Sequence, residues 1–251
     1  MRYAIVTGTS RGLGEAVVRQ LLEQEVIVFS ISRSRNIELE EMAKENGTLF
    51  YPFSFDLHTS YEIEELMNEV FSLMDVDSAN AIYLINNAGM LAPMKPIERA
   101  EASTLIENVH VNLLAPMLLT SEFLKRTHEA PLDKRIVNIS SGAGKNPYYG
   151  WGAYCTTKAG IDMFTRCVAM EEEGKEYPAK VISFAPGVID TDMQAEIRNT
   201  NKEDFTNLDR FLALKKEGKL LSPNYVAQAV VKLLETDDFE HGGIVRIDER
   251  D

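Results

Sequence analysis

Cysteine is scarce: of 251 residues, only Cys155 and Cys167 carry a thiol. On the helix argued below they lie twelve positions apart, about 18 Å along its axis, whereas a disulfide needs Cα atoms within about 7 Å. An intrachain bridge does not fit, and free thiols suit a reducing compartment. Long apolar runs are missing too. No stretch reaches the roughly 18 residues of a membrane span, and the start, MRYAIVTGTS, lacks the apolar stretch and small-residue cleavage site of a secretory signal. A cytoplasmic protein with no membrane partner is expected. Positive charge is in deficit, 26 Lys and Arg against 39 Asp and Glu, giving a net charge of −13 and a pI near 4.9. That argues against nucleic acid as a partner while leaving room for a local basic pocket. His58, His110, His128 and His241 have no ligand spacing and the cysteines form no C-x-x-C pair, so no metal is expected. Nine Pro and 15 Gly are too few for a collagen-like or low-complexity chain. What remains is a globular composition, 45% hydrophobic and 26% charged, at a length compatible with one α/β domain.

Short apolar runs bounded by turn residues alternate with longer amphipathic stretches, the pattern of βα units around a parallel sheet. Strands are predicted at 3–7, 26–31, 48–55, 81–85, 135–140, 180–185 and 243–247, several of them Val/Ile-rich as strands buried on both faces should be. Helices are predicted at about 12–24, 38–46, 60–74, 101–128, 153–174 and 222–235. The polar segment at about 190–220 interrupts the rhythm and reads as a lid or substrate loop with some helix. No linker, composition shift or repeat divides the chain, so residues 1–251 are expected to form a single doubly wound domain. The acidic runs Glu38 to Glu41 and Glu171 to Glu173 read as solvated helix faces.

The first strand runs into TGTSRGLG, Thr7 to Gly14, followed by the amphipathic AVVRQLL. Gly8, Gly12 and Gly14 let the backbone bend there and let a pyrophosphate approach the helix amino terminus, where aligned N–H groups and the helix dipole favour an anion. The same glycines also suit a plain tight turn with close helix packing. No Lys-Ser or Lys-Thr follows, so the phosphate loop of ATPases is not supported. Cofactor choice is read at the end of the second strand, where an NAD site offers an acid to the ribose hydroxyls and a 2′-phosphate wants a cation. The sequence there is ISRSRN, with Arg33 and Arg35 and no acid before Glu38. With Arg11 in the glycine turn this favours NADP(H), because guanidinium is a multidentate partner for phosphate. Either strand-end arginine is also compatible with ordinary surface charge.

Tyr154 and Lys158 stand four residues apart at the start of a predicted helix, on one face and one turn apart. A phenol with a pKa near 10 is a poor acid–base group at neutral pH unless a cation stabilises its phenolate, and Lys158 is placed to do so. Such a pair alone is ordinary on helix surfaces; its surroundings give it meaning. Ser141 lies thirteen residues upstream at the end of the fifth strand, the edge where open α/β sheets place their ligands, with Ser140 as the competing serine. Asn86-Asn87-Ala88-Gly89 sits at the equivalent end of the fourth strand. Asn112 falls inside a predicted helix, where Asn is not favoured.

These residues together resemble the short-chain dehydrogenase/reductase family: TGTSRGLG, NNAG from Asn86 to Gly89, Asn112, Ser141, Tyr154-Cys-Thr-Thr-Lys158, and Pro186-Gly187 with Thr191. The motifs span residues 7 to 191 and are highly specific as a set. The resemblance implies a Rossmann-type, doubly wound, seven-stranded parallel sheet with helices on both faces. It implies that Tyr154 transfers the substrate proton, that Lys158 lowers the tyrosine pKa and bonds the nicotinamide ribose, that Ser141 holds the carbonyl oxygen, and that Asn112 helps bind the water of a proton relay. Cofactor contacts are implied for Gly8, Ser10, Arg11, Gly12, Leu13, Gly14 and Arg33, and for Asp56 and Leu57 at the adenine. Asn87, Ala88 and Gly89 would line the adenosine side; Pro186, Gly187, Val188, Ile189 and Thr191 would flank the nicotinamide.

Between Ser141 and Tyr154 runs GAGKNPYYGWGA, which carries Tyr148, Tyr149 and Trp151. Aromatics there suit an apolar or aromatic ligand, and equally a loop stabilised by its own rings. Met90, Leu91 and Met193 would add adaptable apolar lining. Ser141, Tyr148, Trp151, Tyr154 and Met193 are the candidate substrate contacts, and a small-molecule carbonyl compound, an aromatic ketone or diketone, is the expected substrate. Within the family the chain is most similar to the sepiapterin reductase branch, including bacterial benzil reductases that form (S)-benzoin. That branch holds a pterin with an acid near the carboxyl terminus, where Asp248 and Glu249 lie without a clear local motif. Other readings are a sepiapterin reductase, a 3-oxoacyl-carrier-protein reductase, whose acidic partner a chain at −13 would not attract without a basic patch, and an NADP sensor without turnover, which would not need a tuned phenol. A homodimer is expected through the helices at 101–128 and 153–174.

Overall fold

The computed structural model describes residues 1–247, so the acids Asp248 and Glu249 lie outside the described residues. Seven parallel strands form one sheet: β1 (Arg2–Thr7), β2 (Ile27–Ser32), β3 (Phe50–Ser54), β4 (Ala81–Asn86), β5 (Asp133–Ile139), β6 (Lys180–Ala185) and β7 (Ile244–Arg246), in the spatial order β3-β2-β1-β4-β5-β6-β7. Ile5 of β1 pairs Phe29 on one side and Leu84 on the other. The central strands are apolar on both faces because helices cover both.

Helices α1 (Gly12–Glu23), α2 (Ile37–Asn46) and α9 (Pro223–Glu235) pack on one face, through Val17, Leu21, Leu39 and Val230 onto Ala4, Val6 and Val28. On the other face, α3 (Ile63–Ser72), α5 (Ala115–Thr127) and α6 (Gly152–Glu172) bring Met67, Leu119, Phe123 and Val168 against Ile5, Phe29 and Leu84. Strand order reverses between β1 and β4, which opens a crevice at the carboxyl ends of the strands. Among the described residues no helix is long and apolar enough to cross a membrane.

Two predicted helices come out differently, and the 190–220 segment, expected to hold some helix, gains detail. The helix expected at 101–128 is α4 (Ala102–Val109), a π-helical turn at His110–Leu114, and α5. Within the turn the Ala115 N–H donates to the His110 carbonyl, and Pro116 has no N–H to offer the Asn112 carbonyl four residues back. The helix expected at 60–74 opens with a 3-10 turn at Ser60–Glu62 before α3 begins. The segment at 190–220 carries two helices, α7 (Asp192–Arg198) and α8 (Leu208–Lys216).

Candidate active site

The crevice at the strand-order reversal is a cleft of about 1110 Å³. Its amino-terminal wall is the glycine turn. Gly8 has a φ of +72°, and a Cβ there would lie 2.8 Å from the Ala88 Cα. Gly14 is more constrained, since a Cβ would stand 2.2 Å from the Gly8 carbonyl oxygen and 2.5 Å from Asn87 Nδ2. The turn is held from beside it: Asn87 Nδ2 donates to the Thr7 carbonyl at 2.9 Å, and the Asn87 and Ala88 N–H groups each donate to Thr7 Oγ1 at 3.0 Å. The NNAG segment thus fixes the glycine turn, and Gly12 faces Thr191 across the cleft, its would-be Cβ 3.3 Å from the threonine methyl.

Ser10, Arg11, Leu13, Arg33, Asp56, Leu57 and Gly89 line this half of the cleft. Of the cations read from sequence, Arg35 pairs with Glu40 and is taken out of consideration. Arg11 Nη1 lies 2.8 Å from Asp192 Oδ2, with both side chains well exposed. An exposed ion pair is worth about 0–1 kcal/mol, so it leaves Arg11 able to turn to a phosphate. Arg33 has no ion-pair partner among the described residues and lines the cleft beside the end of β2.

At the other end, β5 delivers Ser141 and the first turns of α6 deliver Tyr154 and Lys158. The Ser141 hydroxyl accepts from the Ala143 N–H at 3.2 Å and lies beside the buried Tyr154 hydroxyl, whose pKa it lowers. Lys158 Nζ donates to the Ile139 carbonyl at 2.7 Å and lies 5.7 Å from the Tyr154 ring centroid. Burial pushes the Tyr154 pKa up to about 12, more than the Ser141 hydrogen bond pulls it down. Burial brings Lys158 down to about 8. Burial is the largest influence on both groups. Tyr154 is held protonated at neutral pH.

Of the residues assigned catalytic, cofactor or substrate contacts from sequence, Gly14 and Asn112 do not line the cleft, nor do the candidates Arg35, Asn86 and Tyr149. Gly14 packs behind the glycine turn, where the close approach to Gly8 shields it. Asn112 is 1% exposed, with Oδ1 accepting from the Met90 N–H at 2.8 Å and Nδ2 donating to the Met90 carbonyl at 2.7 Å and to Asn108 Oδ1 at 3.0 Å. Its side chain is committed to pinning the segment after β4, so a water would have to be held by its backbone. Asn108, not singled out from sequence, completes the clamp by donating to the Ala92 carbonyl at 2.7 Å.

Pro186, Gly187, Val188 and Ile189 follow β6 along the floor, with Thr191 and Met193 beyond them. Tyr148 and Trp151 form an aromatic wall beside Tyr154, Trp151 meeting the phenol edge-on at 5.7 Å. Met90 and Leu91 also line the cleft. Phe211 from the 190–220 segment extends this wall, and the fully buried Phe205 backs it from behind, stacked on Trp151; the sequence reading named neither. Their spacing with Leu208, at i, i+3 and i+6 in a polar stretch, was the available signal for an inward helical face.

The profile of the family described as short chain dehydrogenase matches residues 2–202. The chain is 61% identical over 249 residues to a benzil reductase ((S)-benzoin forming) of Bacillus cereus, covering 99% of this chain and 100% of that protein. It is 34% identical over 251 residues to the sepiapterin reductase of Meriones unguiculatus, covering 96% and 94% of the two. The crystal structure of the KRED1-Pglu enzyme has the same fold, with a TM-score of 0.84 at 28% identity over 98% of this chain and 100% of that one. The chain belongs to the short chain dehydrogenase family and is an oxidoreductase that works with a nicotinamide cofactor.

Proposed function

We propose that the protein is an NADPH-dependent carbonyl reductase acting on one carbonyl of an aromatic 1,2-diketone, in the manner of benzil to (S)-benzoin. The observation that carries this reading is the meeting of Ser141, Tyr154 and Lys158 beside a wall of Tyr148, Trp151 and Phe211, backed by the buried Phe205. Aromatic walls favour a flat apolar substrate over a sugar or a carrier-bound thioester. The name of the Bacillus cereus relative points the same way.

The glycine turn fits a dinucleotide, since Gly8 and Gly12, at φ of +72° and +65°, line the cleft at the amino end of α1, where backbone N–H groups favour a pyrophosphate. Arg33, with Arg11 beside it, supports NADP(H) over NAD. Asp56 and Leu57 stand where the adenine would lie, and Lys158 where the nicotinamide ribose would. When bound, the reduced nicotinamide supplies the hydride.

The chain's own residues then act on the substrate oxygen. Ser141 and Tyr154 hydroxyls both donate to it, most strongly as negative charge develops there. Tyr154 gives up its proton, completing the alcohol, and the phenolate left behind faces the Lys158 ammonium. Its raised pKa suits this direction, keeping the acid loaded. Asn112 contributes through its carbonyl, which Pro116 cannot hydrogen-bond and which can hold the water that returns a proton.

Met117 of α5 and Met163 and Met170 of α6 are exposed, which supports a homodimer through these helices. The free thiols of Cys155 and Cys167 support a cytoplasmic setting. The reading is tested by NADPH consumption against benzil, sepiapterin and an acetoacetyl thioester, repeated with NADH. Benzil with NADPH is expected to be turned over best. Activity confined to the thioester would overturn the substrate, and cofactor binding without turnover on any carbonyl would favour a sensor.

A further inference from the structure

One helical turn beyond Lys158 stands a buried carboxylate. Asp162 is 5% exposed and its Oδ1 has no hydrogen-bond partner. Tyr154, Lys158 and Asp162 occupy positions i, i+4 and i+8 of α6 and so share a face. The 3-10 turn Gly142–Gly144, which Ser141 caps, is seated on that face: a Cβ on Gly144 would stand 2.8 Å from Asp162 Oδ2 and 3.0 Å from the Lys158 carbonyl. Only glycine allows the turn to settle this close. A buried carboxylate oxygen without a hydrogen bond is costly unless a cation shares its surroundings, and one turn back on this face, at i−4, the cation is Lys158.

We infer that Asp162 is a positioning residue for Lys158: its buried carboxylate keeps the ammonium charged beneath Tyr154 while seating the turn that presents Ser141. The inference rests on the reading of Tyr154 and Lys158 given above. Burial drives Lys158 toward its neutral form, and the Asp162 charge opposes that. The other ionisable groups on elements packed against α6 are Glu107 of α4, His110 of the π turn, Glu122, Lys125 and Arg126 of α5, Lys180 of β6 and Lys145 after the 3-10 turn. None of them enters the balance at Lys158. Glu122 is occupied by Lys125 and Arg126.

The test is the titration of Lys158 itself, read from its 13Cε NMR resonance between about pH 6 and about pH 10. The resonance is assigned with Lys158→Arg and followed in the wild type, Asp162→Asn, Asp162→Ser and Asp162→Glu. Loss of the carboxylate is expected to lower the midpoint by roughly one pH unit and to move the alkaline limb of kcat/KM down with it. Asp162→Glu should restore both. An unmoved midpoint in the neutral variants overturns the inference, as does failure of both neutral variants to fold, which marks a purely structural residue. A shifted midpoint together with full turnover in Tyr154→Phe would instead overturn the catalytic reading and leave the Asp162–Lys158 coupling standing.

Discussion

Trp151 lies flat on Phe205, with ring centroids 4.6 Å apart and planes 6° from parallel. The two residues lie fifty-four positions apart, and their stacking fastens the polar 190–220 segment onto the turn that leads into α6. Gly150, at a φ of +81°, makes the approach possible, because a Cβ there would fall 2.0 Å from the Asp204 carbonyl oxygen. Arg99 ties the same segment from its other side by a 2.8 Å contact with Asp204.

Phe205 is fully buried, so Phe205→Ala should destabilise the fold by about 3 kcal/mol, the lower end for a truncated core phenylalanine. It should also raise KM for benzil more than it lowers kcat. Urea unfolding and steady-state kinetics check both.

Gly14→Ala places a methyl group against the Gly8 carbonyl and Asn87. Overpacking of this kind costs about 1–3 kcal/mol, and here it displaces the phosphate-binding turn. NADPH affinity, measured by fluorescence titration, should fall at least about tenfold, equivalent to about 1.4 kcal/mol.

Arg33→Ala should weaken NADPH by about tenfold, the scale of one lost charge-assisted contact, and leave NADH within about twofold. Equal losses for the two cofactors would place the 2′-phosphate elsewhere.

The pH dependence follows from the two shifts at the site. Lys158, brought down to about 8, is charged below that pH and neutral above it. The cation that faces the phenolate is lost as pH rises through that value, so kcat/KM should decline on the alkaline side with a midpoint near 8. Tyr154, pushed up to about 12, stays protonated across this window and adds no limb there. A rate that rises through pH 8 would reverse the assignment.

Much of this architecture was legible because it depends on local chemistry. Val/Ile-rich runs separated by amphipathic stretches can only become buried parallel strands under helices, and Gly8, Gly12 and Gly14 mark a turn that side chains would block. Tyr154 and Lys158 were readable from helical spacing once Ser141, the NNAG segment and the glycine turn stood beside them in the pattern. The break at His110–Leu114 was hidden because Asn112 and Pro116 warn of trouble in a helix without saying where it gives way, and the clamp of Asn112 on Met90 joins residues far apart in sequence. Phe205 and Phe211 were missed for the same reason: their partner, Trp151, lies beyond any local window. Nor could spacing reveal that burial, rather than the neighbouring lysine, dominates the Tyr154 hydroxyl.

Tyr154→Phe tests the central claim most directly, since it removes one hydroxyl and leaves the ring against Trp151. NADPH-dependent benzil reduction should fall by about 10³-fold or more, in the range that a general acid supplies, while the Kd for NADPH stays within about twofold. A variant that kept most of its kcat would contradict the account.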